Sequence, residues 1–171
     1  MNILFFLKPK NELSYIYNDF TLRQALEKME FYRFSAIPVL SRDGQYIKTI
    51  TEGDILWSLK NWNEISFVNT EEIYINEIKN HRVYKSIGID RTIDDLIDLI
   101  SEQNFVPVVD DRNMFIGIIT RKSVIEYLYS KTKKEHVSFI FFRQNINKKV
   151  SSWLDYLPFY LFFFIIKLTI I

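Results

Sequence analysis

Cysteine is absent from the 171 residues, which excludes a disulfide framework and thiolate metal sites and leaves the redox compartment open. Histidine occurs only as His81 and His136, and no metal-ligand spacing surrounds either one. Glycine is sparse, at 4 residues, and none belongs to a Gly-rich phosphate loop. Charge of one sign is lacking too. The 22 Lys and Arg against 21 Asp and Glu leave +1, so there is no global electrostatic case for nucleic acid. Glu71-Glu72 and Asp94-Asp95 are paired carboxylates, but they read as helix-start residues that complement the dipole. With no Cys nucleophile and no such pair to spare, no catalytic constellation assembles, and the chain reads as a non-enzyme. Met1 to Lys10 has a short apolar run but lacks a basic n-region and a small-residue cleavage site. It therefore does not read as a secretory signal.

What is present is apolar content, 48%, enough to bury a core, and an internal repeat. Ser35 to Leu59, SAIPVLSRDGQYIKTITEGDILWSL, reads as strand, turn, strand and helix, with Asp43-Gly44 supplying the positive-φ positions of a hairpin. Phe105 to Tyr129 restates it: Pro38 maps to Pro107, Ile50 to Ile119, Thr51 to Thr120 and Ile55 to Val124, each 69 positions on. Upstream the step is 71, taking Leu4 to Ile75, Leu7 to Ile78, Thr21 to Thr92 and Leu26 to Ile97. The change of step falls in the connection from helix to strand, where length varies freely. Leu22, Ala25, Leu26 and Met29 make one helical stripe behind an Asp19 or Thr21 cap, and Ile93, Leu96, Ile97 and Ile100 make the other. Leu13 to Tyr17 suits a short strand. Trp57 and Trp62 read as packing residues.

The expected fold is α/β (α+β), with two βαββα repeats at residues 3–59 and 73–129 and a linker at 60–72. Residues 130–171 form a basic and then apolar tail. Neither repeat has apolar faces enough to bury alone, so the copies are expected to pack with pseudo-two-fold symmetry.

This pattern resembles a tandem pair of CBS (cystathionine β-synthase-type) domains, a Bateman module. The carriers are Ile37-Pro38-Val39-Leu40 with Ile50-Thr51-Glu52-Gly53-Asp54-Ile55-Leu56, and Val106-Pro107-Val108-Val109 with Gly117-Ile118-Ile119-Thr120-Arg121-Lys122-Ser123-Val124-Ile125. The resemblance implies a regulatory module whose clefts between repeats bind adenine nucleotides (AMP, ADP, ATP or a related adenosyl ligand), and which pairs into homodimers.

Thr51-x-x-Asp54 has a physical reading of its own. The free amides of a helix start favour a phosphate, the Thr51 hydroxyl adds a donor, and Asp54 can accept from both hydroxyls of a ribose. Ile37 and Pro38 would offer apolar surface to a base, with Val106 and Pro107 in the same places of the second copy. The alternative is a capping box that merely starts a helix. In copy two, Ser123 stands where Asp54 stands, beside Thr120, and Arg121 and Lys122 offer phosphate ligands or a solvated basic pair. Lys48 replaces Gly117, so a side chain that blocks the cleft or reaches a phosphate stands where Gly would let a ligand approach. Two unequal sites are expected, the Asp54 one holding a ribose and the other either favouring a phosphate-rich portion or staying empty. Asp54→Ala is expected to abolish binding with little effect on stability.

The apolar part of the tail, Trp153 to Ile171, has Asp155, Pro158 and Lys167 inside it, short of the roughly 20 apolar residues of a span. Membrane association through residues 153–171, docking on the module or a partner, and a non-native extension are the readings that remain. The expected function is a cytoplasmic sensor of an adenine nucleotide, a homodimer read by an unknown protein partner, with no catalytic cofactor and no metal. The alternatives are a structural or dimerisation module with degenerate clefts, and a membrane-associated version tethered by the tail.

Overall fold

The computed structural model describes residues 2–61 and 70–132. Trp62, most of the expected linker and the tail with its proposed membrane segment lie outside the described residues. The chain divides into two compact units, Met1–Ile125 and Glu126–Ile171. In the second, the Ser130 and Thr132 hydroxyls donate to the carbonyls of Tyr127 and Leu128.

In chain order the elements are β1 (Leu7–Pro9), β2 (Ile16–Tyr17), α1 (Leu22–Tyr32), β3 (Ala36–Leu40), β4 (Tyr46–Thr51), α2 (Glu52–Asn61), β5 (Ile87–Gly88), α3 (Ile93–Glu102), β6 (Phe105–Val109), β7 (Phe115–Thr120) and α4, whose described helical residues are 121–132. Single 3-10 turns precede β1 at Ile3–Phe6, β2 at Lys10–Glu12 and β5 at Ile75–Glu77. The strand expected over Leu13 to Tyr17 is confined to Ile16 and Tyr17.

The sequence stripes explain the helices. Thr21 caps α1, its hydroxyl accepting from Gln24 N and the Gln24 side chain accepting from Thr21 N. Leu22, Ala25 and Met29 are buried, and Arg33 ends the helix in the left-handed region at φ 56. Asp19 is not the cap; it pairs with Arg42 at 2.9 Å. Thr92 and Asp95 start α3 in the same way, burying Leu96 and Ile100. Glu71 does not start a helix but reaches Arg23 of α1 at 3.0 Å.

The strands form a sheet in the order β2-β3-β4 and a second in the order β1-β7-β6-β5. A two-fold operator is visible in the hydrogen bonds between the hairpins. Tyr46 N donates to Asn113 O and Phe115 N to Gly44 O, which is the same bond written twice with the copies exchanged. Gln45 bridges its own counterpart Met114. The buried cluster around this axis consists of Leu40, Tyr46, Val109 and Phe115, two residues and their equivalents.

The opening segments are exchanged between copies. Ile73, Ile75 and Ile78, which lead into repeat two, pack in the core of repeat one with Ile16, Leu22, Ile37 and Ile50. Conversely, β1 pairs antiparallel with β7 of the second sheet, Lys8 opposite Ile118 and Pro9 opposite Gly117. Here the expected role of Gly117 is corrected. It admits the chain's own strand, since a Cβ there would lie 2.1 Å from the Lys8 carbonyl oxygen. In copy one Lys48 takes that place, and its ammonium donates to the Ile78 carbonyl at 2.6 Å.

Candidate functional site

At the start of α2, Thr51 and Asp54 form a closed box. Asp54 Oδ2 accepts from Thr51 N at 3.0 Å and from the Thr51 hydroxyl at 2.8 Å, and Thr51 Oγ1 accepts from Asp54 N at 3.1 Å. Thr92 and Asp95 repeat that geometry on the surface, with 3.0 and 2.8 Å bonds to Asp95 Oδ2. Those bonds hold the Asp95 carboxyl below its ordinary range. Asp54 differs in being 1% exposed and in taking donors from the other repeat. His81 N donates to Asp54 Oδ1 at 2.6 Å, and the Asn80 amide approaches Oδ2 at 3.4 Å while donating to Thr49 O. Half-buried Lys48 lies close by. Burial pushes its ammonium pKa down, and the Asp54 charge opposes that shift. The ring of His81 meets Trp57 edge-on at 6.4 Å, and Trp57 is exposed rather than in the core.

The counterpart cleft, at Thr120, opens as a cavity of about 520 Å³. Its floor includes Pro38, Phe105 and Ile118, and its wall carries the helix-to-strand connection of copy one, Tyr32 to Ala36. Tyr32 and Phe34 stack with ring centroids 5.3 Å apart and planes at 11°. Lys8 and Arg33 bring positive charge, Glu12 a carboxylate, and Ser14, Ser35 and Asn104 neutral donors and acceptors. At its helix start the Ser123 hydroxyl turns back to the Thr120 carbonyl at 2.8 Å, and Ser123 N donates to Thr120 Oγ1 at 3.2 Å.

Of the residues expected to meet a ligand, Thr120 and Pro38 line this cavity, and Thr51 and Asp54 meet at the other cleft. Ile37 and Val106 do not reach either surface. Both are 0% exposed, because side chains alternate along a strand and theirs point inward. Pro107 falls on the opposite face of β6 from Val106, and is buried. Arg121 is not placed for a phosphate. Its guanidinium donates to Ile100 O at 2.9 Å and Ser101 O at 3.4 Å, covering the free carbonyls at the end of α3.

Sequence reasoning overlooked Tyr32, Arg33 and Phe34, along with Glu12, Lys8 and Asn80; His81 is the exposed loop residue its sequence position suggests, and it is its backbone N–H that reaches Asp54. A signal for the first three did exist. The step between copies changes from 71 to 69 across this connection, so copy one has two residues more in the segment that builds the cavity wall.

Residues 9–61 and 75–130 match the family model of the CBS domain, and the chain belongs to that family. The uncharacterized protein MJ1426 of Methanocaldococcus jannaschii is 27% identical over 141 residues, 66% of this chain and 84% of that one. Among solved structures, CbpB in complex with c-di-AMP superposes with a TM-score of 0.73 at 22% identity, covering 81% of this chain and 91% of that chain. CBSX2 in complex with AMP does so with a TM-score of 0.62 at 18% identity, covering 77% and 98%. At those identities the likeness is one of fold. Among the described residues no helix is long and apolar enough to cross a membrane.

Proposed function

We propose that the protein is a non-catalytic regulatory module that binds an adenine nucleotide between its repeats, in the cavity at Thr120. The observation that carries this reading is the cavity itself. At about 520 Å³ it is of ligand size. It combines an aromatic pair for a base, two cations for phosphate and a hydroxyl at the start of α4. Relatives of the same fold supply the ligand class: CbpB is a complex with c-di-AMP and CBSX2 a complex with AMP. Binding regulates by favouring one arrangement of the repeats, or of two protomers, over another. Homodimerisation and a protein partner that reads the change complete the proposal.

Thermal unfolding of the full chain with AMP, ADP, ATP, S-adenosylmethionine and c-di-AMP tests it. A ligand at 100 times its Kd adds about 2.7 kcal/mol, which raises Tm by roughly 5–10 °C for a chain of this size. The double change Tyr32→Ala with Arg33→Ala is expected to remove the shift. No shift with any of the five ligands would favour the second reading, a dimerisation module with degenerate clefts. The internally satisfied Asp54 carboxylate already gives that reading some support.

A further inference from the structure

We propose that residues 79–81 form a latch across the Asp54 cleft, so that the two clefts of one chain fill in order. The Thr120 cleft binds directly, and the Asp54 cleft binds only after the His81 N–H has left the carboxylate. The latch itself is independent of the nucleotide reading; the order of filling rests on it.

The bonds at Asp54 carry the inference. A ribose gripped through both hydroxyls needs free lone pairs on the carboxylate. Oδ2 receives both donors of Thr51 together with the Asn80 amide, and Oδ1 receives the 2.6 Å bond from His81 N, so the one acceptor site left on Oδ1 cannot hold both hydroxyls, and the residue is 1% exposed. The segment is fastened on either side as well. Ile78 O accepts from Lys48 Nζ at 2.6 Å, and the Asn80 amide donates to Thr49 O. A donor on a buried carboxylate makes a charge-assisted bond, about twice as strong as a neutral one. A nucleoside must break it before making its own.

The pseudo-two-fold copy shows how an unlatched cleft is built. The positions equivalent to Asn80 and His81 are Pro9 and Lys10. Pro9 has no side-chain donor and is held by the β1–β7 ladder opposite Gly117. Ser123 replaces the carboxylate and spends its hydroxyl on its own strand. The same exchange of opening segments therefore leaves a cavity at one cleft and a clasp at the other.

Amide hydrogen exchange at His81 in the nucleotide-free full chain reads the latch without any ligand. Protection of roughly 100-fold or more over an open chain is expected. Exchange at the open-chain rate overturns the proposal, whatever binds elsewhere. Calorimetric titration with AMP then reads the order of filling. The wild type is expected to show one binding event and a second at least about tenfold weaker. His81→Pro, which has no N–H, should bring the two within about threefold. Asn80→Ala keeps the backbone and should produce a smaller change in the same direction, which covers a failure of the proline variant to fold. Two equal events in the wild type, or a second event unmoved by both substitutions, overturn the order of filling. Complete absence of AMP binding counts against the nucleotide reading instead, and the exchange rate alone then decides the latch.

Discussion

A buried carboxylate survives only where donors replace the water it has lost. Asp54 meets that condition with two donors from Thr51, one from His81 and one from Asn80, and this sets the cost of removing it. Asp54→Ala strands these donors and deprives Lys48 of its neighbouring charge. The expected loss is about 3 kcal/mol, measured as a lower urea midpoint at unchanged slope. The bonds argue against an inert substitution, because four residues in sequence cannot show that the acceptor is shared with a segment 27 residues away. Tyr46 supplies a second test at this scale. Burial pushes its hydroxyl pKa from 10.0 up to about 12, against a lowering bond from Thr49 and a further raising effect of Tyr84. Above pH 10 the unfolded chain releases this proton while the folded chain keeps it. Stability therefore falls as pH rises from 10 to 12, by about 2 kcal/mol at the end of that window, and is undiminished below it. Lys48, with its pKa lowered from 10.5, acts in the opposite sense below that value. The difference between wild type and Tyr46→Phe isolates the tyrosine: the alkaline loss should be smaller in the variant.

Among elements, strands and helices that repeat at fixed spacing were legible because each copy confirms the other. The hairpin turn is an instance: Gly44 takes φ 91, and Asn113, its equivalent, takes φ 62, both in the left-handed region that turns of this kind need. The partner of β1 was not legible. Leu7-Lys8-Pro9 is short, contains a proline, and pairs with a strand more than a hundred residues later, where no local pattern can point. Gly117 is the residue that makes the pairing possible, and it defines the experiment. In Gly117→Ala the new Cβ would stand 2.1 Å from the Lys8 carbonyl oxygen and 2.9 Å from Leu7 Cδ1, so the backbones must separate. The expected outcome is a loss of about 2–3 kcal/mol, with the fall in amide protection concentrated at Leu7, Lys8, Ile118 and Ile119 rather than in the β2-β3-β4 sheet. Equal loss across both sheets would show that β1 is integral to the whole fold rather than a removable edge.

At the scale of the molecule, exchanging opening segments ties the repeats together more firmly than two surfaces in contact would. Repeat one needs Ile73, Ile75 and Ile78 to fill its core. Leu22 N and Arg23 N at the start of α1 donate to Ile73 O and Thr70 O, bonds that no residue of repeat one supplies. A fragment of residues 2–61 therefore exposes the apolar faces of Leu22, Ile37 and Ile50 and leaves helix-start amides without acceptors. Each buried aliphatic side chain contributes about 1.5–3 kcal/mol, so losing three exceeds much of what a domain of this size can hold in reserve. The fragment is expected to lack a cooperative thermal transition and to show poorly dispersed amide resonances. A fragment of residues 2–79, which restores the crossing segment, should recover part of the cooperativity, and the full chain should unfold its repeats in a single step. A stable, cooperative 2–61 fragment would mean that each repeat is self-sufficient. The crossing segments would then be free to move without unfolding anything, and a ligand would have to act on the clefts alone. If the repeats do unfold together, a ligand that displaces residues 79–81 loosens a segment continuous with the core of repeat one, and occupancy of the Asp54 cleft becomes a change felt by the whole unit.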